Sequence, residues 1–210
     1  MKNVSFKKAF IKAIITVTMF SLCAAINVTP FRFVTSVQAE EDWTEYSEPR
    51  GMTWYGQYSN PGIVIGSGNM RSNGCVPTAA AMYLSSVGVN VSPTDMGYYL
   101  YNTGNFNNLY GHGGSDLCWY DVANYAGVGA WGIYDFESMK AALTSGAVVA
   151  CHIYYGGGTH AVLATGYKNG QTLVYDPIGG TYWKSVQSLW NGRSFVWNDI
   201  LSGTSIIALS

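Results

Sequence analysis

Asn73-Gly74-Cys75-Val76-Pro77-Thr78-Ala79-Ala80-Ala81-Met82 is the stretch on which the reading turns. Pro77 suits the first turn of a helix, where its missing N–H leaves no bond unmade. Thr78 to Val87 is dense in Ala, Met, Tyr and Leu, and Gly88 is a natural stop. The pattern predicts a helix that opens beside Cys75. Asn73-Gly74 ahead of it lets the backbone turn tightly onto the helix. A cysteine there meets free N–H groups and partial positive charge, which favour its thiolate. The same N–H groups can hold a developing oxyanion. By itself a cysteine at a helix start is more often a small core residue, so its partners decide.

A thiolate nucleophile needs a base. Beyond residue 39 the chain offers His112, His152 and His160. His112 lies in a Gly/Asn-rich loop over 102–114, where it is hard to hold still. His152 lies inside a strand pattern, pointing into packing or solvent by alternation. His160 opens a strand just after Gly156-Gly157-Gly158, a strand-end position suited to facing a cleft. The base in turn needs an orienting acceptor, and Asp176 ends the next strand. Hairpin register decides whether it reaches. A two-residue Asn169-Gly170 turn sets Asp176 opposite Leu163, on the face away from His160. A three-residue Lys168-Asn169-Gly170 loop sets it opposite Val162, as the diagonal neighbour of His160 about 7–8 Å away. A catalytic role for Asp176 therefore predicts the three-residue loop. Otherwise Asp176 is a turn residue before Pro177.

Around these positions the chain reads as helices first and strands later. Residues 40–68 are a loosely structured lead-in with a short strand at Ile63–Ile65. Ser92 caps a second helix running to about Tyr101, Ser115 a third through Ala126, and Asp135 a fourth over 136–144. Strands follow at Ala147–Tyr155, His160–Tyr167 and Gln171–Asp176, with others expected at Phe195–Trp197 and Ser205–Leu209. The expectation is a single α+β domain over 69–210, its N-terminal helices packed on an antiparallel sheet.

The opening is basic at Lys2, Lys7, Lys8 and Lys12, then apolar from Ala13 to about Val28, and small residues end at Ala39. That layout predicts a secretory signal over 1–39, cut after Ala39, and a secreted or cell-surface protein with no lasting membrane insertion. The 171 residues left carry 6 basic and 12 acidic side chains, a net charge of −6. Such a balance argues against a nucleic-acid partner, which needs clustered Lys and Arg. Cys75, Cys118 and Cys151 remain, an odd number, so at least one thiol is unpaired. Cys118 and Cys151 are either bridged or buried as apolar residues. With no CxxC pair and no HExxH, neither a metal nor a cofactor is expected.

Three segments together resemble the C39-like branch of the papain-like cysteine peptidases. Residues 73–82 resemble its nucleophile motif, Gly158-Thr159-His160-Ala161-Val162-Leu163-Ala164-Thr165-Gly166-Tyr167 its histidine motif, and Val174-Tyr175-Asp176-Pro177 its aspartate motif. The resemblance covers about residues 52–180. It implies a papain-like fold, Cys75 as nucleophile, His160 as base and then acid, and Asp176 as orienter. The implied reaction is hydrolysis of peptide or protein substrates through a thioester. Two positions depart from the family pattern. Val76 stands where a Gly is usual after the cysteine. Asn69 stands where a Gln commonly serves as oxyanion donor about six residues before it, so that role passes to Asn69; Gln57 lies further upstream. A cell-wall peptidase or amidase of the NlpC/P60 or CHAP type, and a non-catalytic secreted binding domain of the same fold, are the competing readings.

Overall fold

Val148-Val149-Ala150-Cys151 is apolar at every position, and a strand of that kind needs cover on both of its faces. The computed structural model, which describes residues 46–65, 68–106, 114–196 and 200–210, supplies that cover. The proposed signal segment 1–39, with Cys23, and the loop residue His112 lie outside the described residues. One antiparallel sheet runs in the order β4 (Ala130–Gly132), β9 (Ile206–Leu209), β5 (Val148–Tyr155), β6 (Gly158–Lys168), β7 (Gln171–Asp176) and β8 (Gly180–Ser185). The short β1 (Tyr46–Ser47) adds to the far end of β6, and β2 (Val64–Ile65) pairs with β3 (Gly68–Asn69) in a separate ribbon.

Alternation splits the strands between two cores. Ala150, Ala161, Leu163 and Ile207 face the helices α2 (Cys75–Ser86), α3 (Pro93–Thr103) and α4 (Cys118–Ala126). Val149, Cys151, Val162, Ala164 and Ile206 face the other way, toward α5 (Phe136–Thr144) and α6 (Val186–Asn191). Helix α2 is the central one, with every residue from Val76 to Leu84 buried. Ala79, Ala80 and Ala81 let it approach its neighbours closely. A four-residue helix, α1 (Met70–Asn73), runs into it through Gly74. A Cβ on Gly74 would lie 2.2 Å from the Met70 carbonyl oxygen, so only glycine fits this junction. Asn69 caps α1, Ser92 caps α3 and Asp135 caps α5 through side-chain bonds to backbone N–H groups.

Some expected elements differ. Helix α4 starts at Cys118 with no side-chain cap: the Ser115 carbonyl accepts the Cys118 N–H. The neighbouring Asp116, fully buried, turns away to accept the Leu201 and Ser202 N–H groups at 2.6 and 2.9 Å. Phe195 and Val196 form no strand, and β8 and α6 were not anticipated. The segment Tyr46–Ile65 packs on the sheet. The Arg50 N–H donates to Thr165, Trp54 Nε1 donates to the Asp176 carbonyl at 2.8 Å, and the Gln57 N–H donates to Pro177.

The β6–β7 hairpin contains the decisive detail. Its turn is the two-residue Asn169-Gly170, with φ of 51° and 77°, closed by Lys168 opposite Gln171. The three-residue loop expected from sequence does not form, because Asn-Gly readily takes the two left-handed conformations of the tighter turn. Carried unbroken, that register would turn Asp176 away from His160. It is not carried unbroken. From Lys168 to Thr165 is three steps on β6, yet the partners run only from Gln171 to Leu173, two steps on β7. One extra residue has entered β6 as a β-bulge. Gly166 lies in it at φ 68°. Beyond the bulge Leu163 pairs with Tyr175, which brings Asp176 to the level of Val162 and onto the face of His160. A Cβ at Gly166 would also meet the Pro49 backbone at 2.6 Å. Gly166→Ala is therefore expected to destabilise the fold by about 2 kcal/mol through left-handed strain, with the steric clash in addition. Urea unfolding measures it, with Gly88→Ala, which has φ 80° and open space around it, as the strain-only control.

Candidate active site

Cys75 is the first residue of α2, half-buried at the wall of a cleft of about 260 Å³. His160 comes to the same cleft from the start of β6. It is buried, and its Nε2 lies 2.7 Å from Asp176 Oδ1. That leaves Nδ1 as the ring atom on the side of Cys75, whose side chain shares the cleft and acts on the His160 charge. The structure thus brings Cys75, His160 and Asp176 together. Tyr155 covers the imidazole, its ring centroid 5.2 Å from that of His160.

Asp176 has two local roles at once. Its Oδ1 also accepts the Ile178 N–H at 2.8 Å, closing a turn over Pro177. Its Oδ2 accepts the Tyr182 hydroxyl at 3.1 Å. Burial pushes the Asp176 pKa upward, but the bonds from His160, Ile178 and Gly179 win and hold it at about 2. Burial likewise pulls His160 downward, and its interactions with Asp176 and Cys75 override this and raise it to about 9. At neutral pH the geometry therefore favours an imidazolium between a carboxylate and a sulfur.

Asn69 is not brought to the cleft. Its Oδ1 accepts the Arg71 N–H at 2.8 Å, which caps α1, and its Nδ2 donates to the Gly62 carbonyl at 3.0 Å. Gln57, further upstream, does reach the cleft. The residue is 2 % exposed, lies on a single 3-10 turn (Gln57–Ser59), and lines the cleft. One amide N–H goes to the Arg71 carbonyl at 3.2 Å, and a second remains on the same nitrogen. Spacing hid it, because the ribbon β2–β3 and helix α1 intervene between Gln57 and Cys75 before the chain folds back.

Val76, the other departure, does not fill the cleft. It is buried against Gly114, where a Cβ would sit 2.8 Å from the Val76 Cβ, so a missing side chain across the wall accommodates the added one. His152 lines the cleft as well as the core. Its Nε2 accepts the Trp119 indole N–H at 3.0 Å, which suits a neutral ring and not a proton-transferring one. Cys118 and Cys151 are unbridged and buried. Burial pushes the Cys151 thiol up to about 12 and the Cys118 thiol well above its ordinary value. No cluster of three or more His, Cys, Asp or Glu able to hold a metal occurs among the described residues.

Residues 51–202 match the model of the Peptidase_C39 like family. The chain belongs to that family. No curated protein matches it. Among solved structures, a double glycine motif protease from an AMS/PCAT transporter, in complex with its leader peptide, is similar at 14 % identity and TM-score 0.50. That match covers 77 % of this chain and 92 % of the other. The peptidase domain of Streptococcus ComA, a bi-functional ABC transporter involved in a quorum sensing pathway, matches at 16 % identity and TM-score 0.49, over 66 % of this chain and 92 % of its own. The C39-like chain described here thus has the mixed helix and antiparallel-sheet fold of C39 peptidase domains, a papain-like fold.

Two outcomes are expected from this geometry. In the folded protein iodoacetamide should alkylate Cys75 alone among the described cysteines, and Cys118 and Cys151 should react only after unfolding; peptide mapping separates them. The His160–Asp176 pair should also give stability a pH window. His160, raised from 6.5 to about 9, adds stability that is complete below pH 6.5 and lost as the pH climbs through 9. Asp176, lowered from 3.8 to about 2, adds stability present above pH 3.8 and lost as the pH falls through 2. The stability difference between wild type and Asp176→Asn, from urea unfolding, should be largest between these limits and narrow above pH 6.5.

Proposed function

We propose that this C39-like protein is a secreted cysteine peptidase that hydrolyses peptide bonds through a thioester intermediate. The observation that carries the reading is His160, which shares an open cleft with Cys75 and is hydrogen-bonded to Asp176. The Cys75 sulfur attacks the scissile carbonyl carbon. Negative charge develops on the carbonyl oxygen, and the donors this reading assigns to it are the Cys75 N–H at the start of α2 and the second amide N–H of Gln57. His160 gives its proton to the leaving amine, and the acyl group remains on sulfur. Water then attacks the thioester, with His160 taking its proton, and Cys75 is released. Asp176 stays ionised throughout and holds the ring in the tautomer and orientation this requires. A similar fold solved in complex with a leader peptide is in keeping with a peptide substrate. Secretion rests on the basic, then apolar, then small-residue layout of residues 1–39.

The test is covalent trapping. A peptidyl electrophile should add one equivalent to Cys75 by mass spectrometry, and His160→Ala should abolish fast labelling. Labelling of Cys75 no faster than that of a free thiol would remove the reading. With a cleavable peptide, Gln57→Ala should lower kcat by about 10²–10³-fold with little change in KM, since the oxyanion exists only after attack. Asn69→Ala should leave kcat unchanged. The rate should decline as the pH rises above about 9, where His160 loses its proton.

A further inference from the structure

We propose that Tyr182 is a positioning residue for the Cys75–His160 pair, acting through the second carboxylate oxygen of Asp176. The inference rests on the cysteine-peptidase reading above and extends it to a side chain outside the cleft. A carboxylate offers about four acceptor positions. Asp176 Oδ1 takes His160 Nε2 at 2.7 Å and the Ile178 N–H at 2.8 Å. Oδ2 takes the Tyr182 hydroxyl at 3.1 Å, and the Gly179 N–H adds a backbone bond to the carboxylate. Two of these donors belong to the turn that Asp176 itself begins, and a third is the group to be positioned. Tyr182 alone is a side chain from the adjacent strand, β8.

That difference has a mechanical consequence. The terminal torsion of an Asp side chain is broad and roughly two-fold, so bonds to Oδ1 do not by themselves fix the carboxylate plane. A donor on Oδ2, anchored in the sheet, does. Tyr182 is half-buried and packs on the α5–α6 face of the sheet, against the cluster that includes Val162 and Val174. Gly179 closes the arrangement. A Cβ there would lie 2.9 Å from Asp176 Oδ2 and 3.4 Å from the Tyr182 ring, so the turn wraps the oxygen at van der Waals distance. Burial and the Asp176 charge push the Tyr182 hydroxyl up to about 12, so it remains a donor across the working range. With the plane held, the Oδ1 lone pair stays aimed at Nε2, and Nδ1 stays aimed at Cys75.

Tyr182→Phe keeps the ring and its packing and removes only the hydroxyl. The readout is the second-order rate of Cys75 alkylation by iodoacetamide, which needs no substrate. At about pH 6 His160 carries its proton, and at about pH 10, above its value of about 9, it does not, so an effect that runs through the imidazolium is present at the first pH and absent at the second. The variant should alkylate about fivefold or more slowly than wild type at pH 6 and within about twofold at pH 10. With a cleavable peptide, kcat should fall while KM stays within about twofold, because Tyr182 does not line the cleft. Tyr154→Phe, which removes a hydroxyl bonded to the Phe195 N–H, is the control and should match wild type at both pH values. Equal pH 6 rates for Tyr182→Phe and wild type, even with lowered thermal stability, would overturn the proposal and leave Tyr182 a structural residue. If wild-type Cys75 itself reacts no faster than a free thiol at pH 6, it is the peptidase reading that fails.

Discussion

One extra residue in β6 sets the geometry of everything near the cleft. Strand pairing has period two, so a slip of one residue exchanges the two faces of every position beyond it. The Asn169-Gly170 turn alone would direct Asp176 toward the α2 face. The bulge at Gly166 restores it to the side of His160, and only a residue without a Cβ tolerates both the left-handed backbone there and the nearby Pro49 chain. The bulge is also where the N-terminal segment docks. The Arg50 N–H reaches the Thr165 hydroxyl, and Thr172 Oγ1 donates to the Thr165 carbonyl at 3.1 Å. The same few residues therefore fix the register of the hairpin and seat the segment that carries Gln57.

The second organising feature is the sharing of Asp176. A turn-forming role and a catalytic role are usually weighed as alternatives for an aspartate before proline. Here the two are compatible, since the turn through Ile178 holds the same carboxylate oxygen that His160 bonds. The Trp54 indole holds the backbone of Asp176 from the other side. A buried carboxylate survives in its ionised form because each oxygen is hydrogen-bonded, and a buried imidazole gains its proton because that carboxylate is close by. Rigidity in the acidic partner and charge on the base arise from one set of bonds.

The three cysteines show how environment sorts identical side chains. Cys118 and Cys151 lie inside the two separate cores, where desolvation opposes the thiolate. Cys118 also begins a helix, but Cys75 is the one half-buried at the cleft that His160 lines. The Gly74 junction lets α1 run directly into α2 and presents that sulfur at the cleft.

Much of this was legible in the residues. Pro77, the alanine run and Gly88 marked the central helix; Ser92 and Asp135 marked two caps; the apolar runs marked β5 to β7. Cys75 and His160 could be named because helix starts and strand ends are local features with local signals. Asp176 could be named as a candidate, but its side of the sheet depended on a bulge at Gly166, which lies against Pro49, 117 positions away in sequence. The lining of the cleft was hidden for the same kind of reason. Counting back from Cys75 reached Asn69, a helix cap bonded to Arg71 and Gly62, whereas Gln57 comes to the cleft through bonds to Arg71 and to Pro177, beyond the hairpin. Tyr182 lies on a strand that no pattern announced. The sequence by itself determined which side chains could do chemistry and which elements hold them, because helix and strand periodicity act over a few residues. Which of those side chains meet was decided by the tertiary structure, through register and the return of distant segments, because those depend on contacts between positions far apart in the chain.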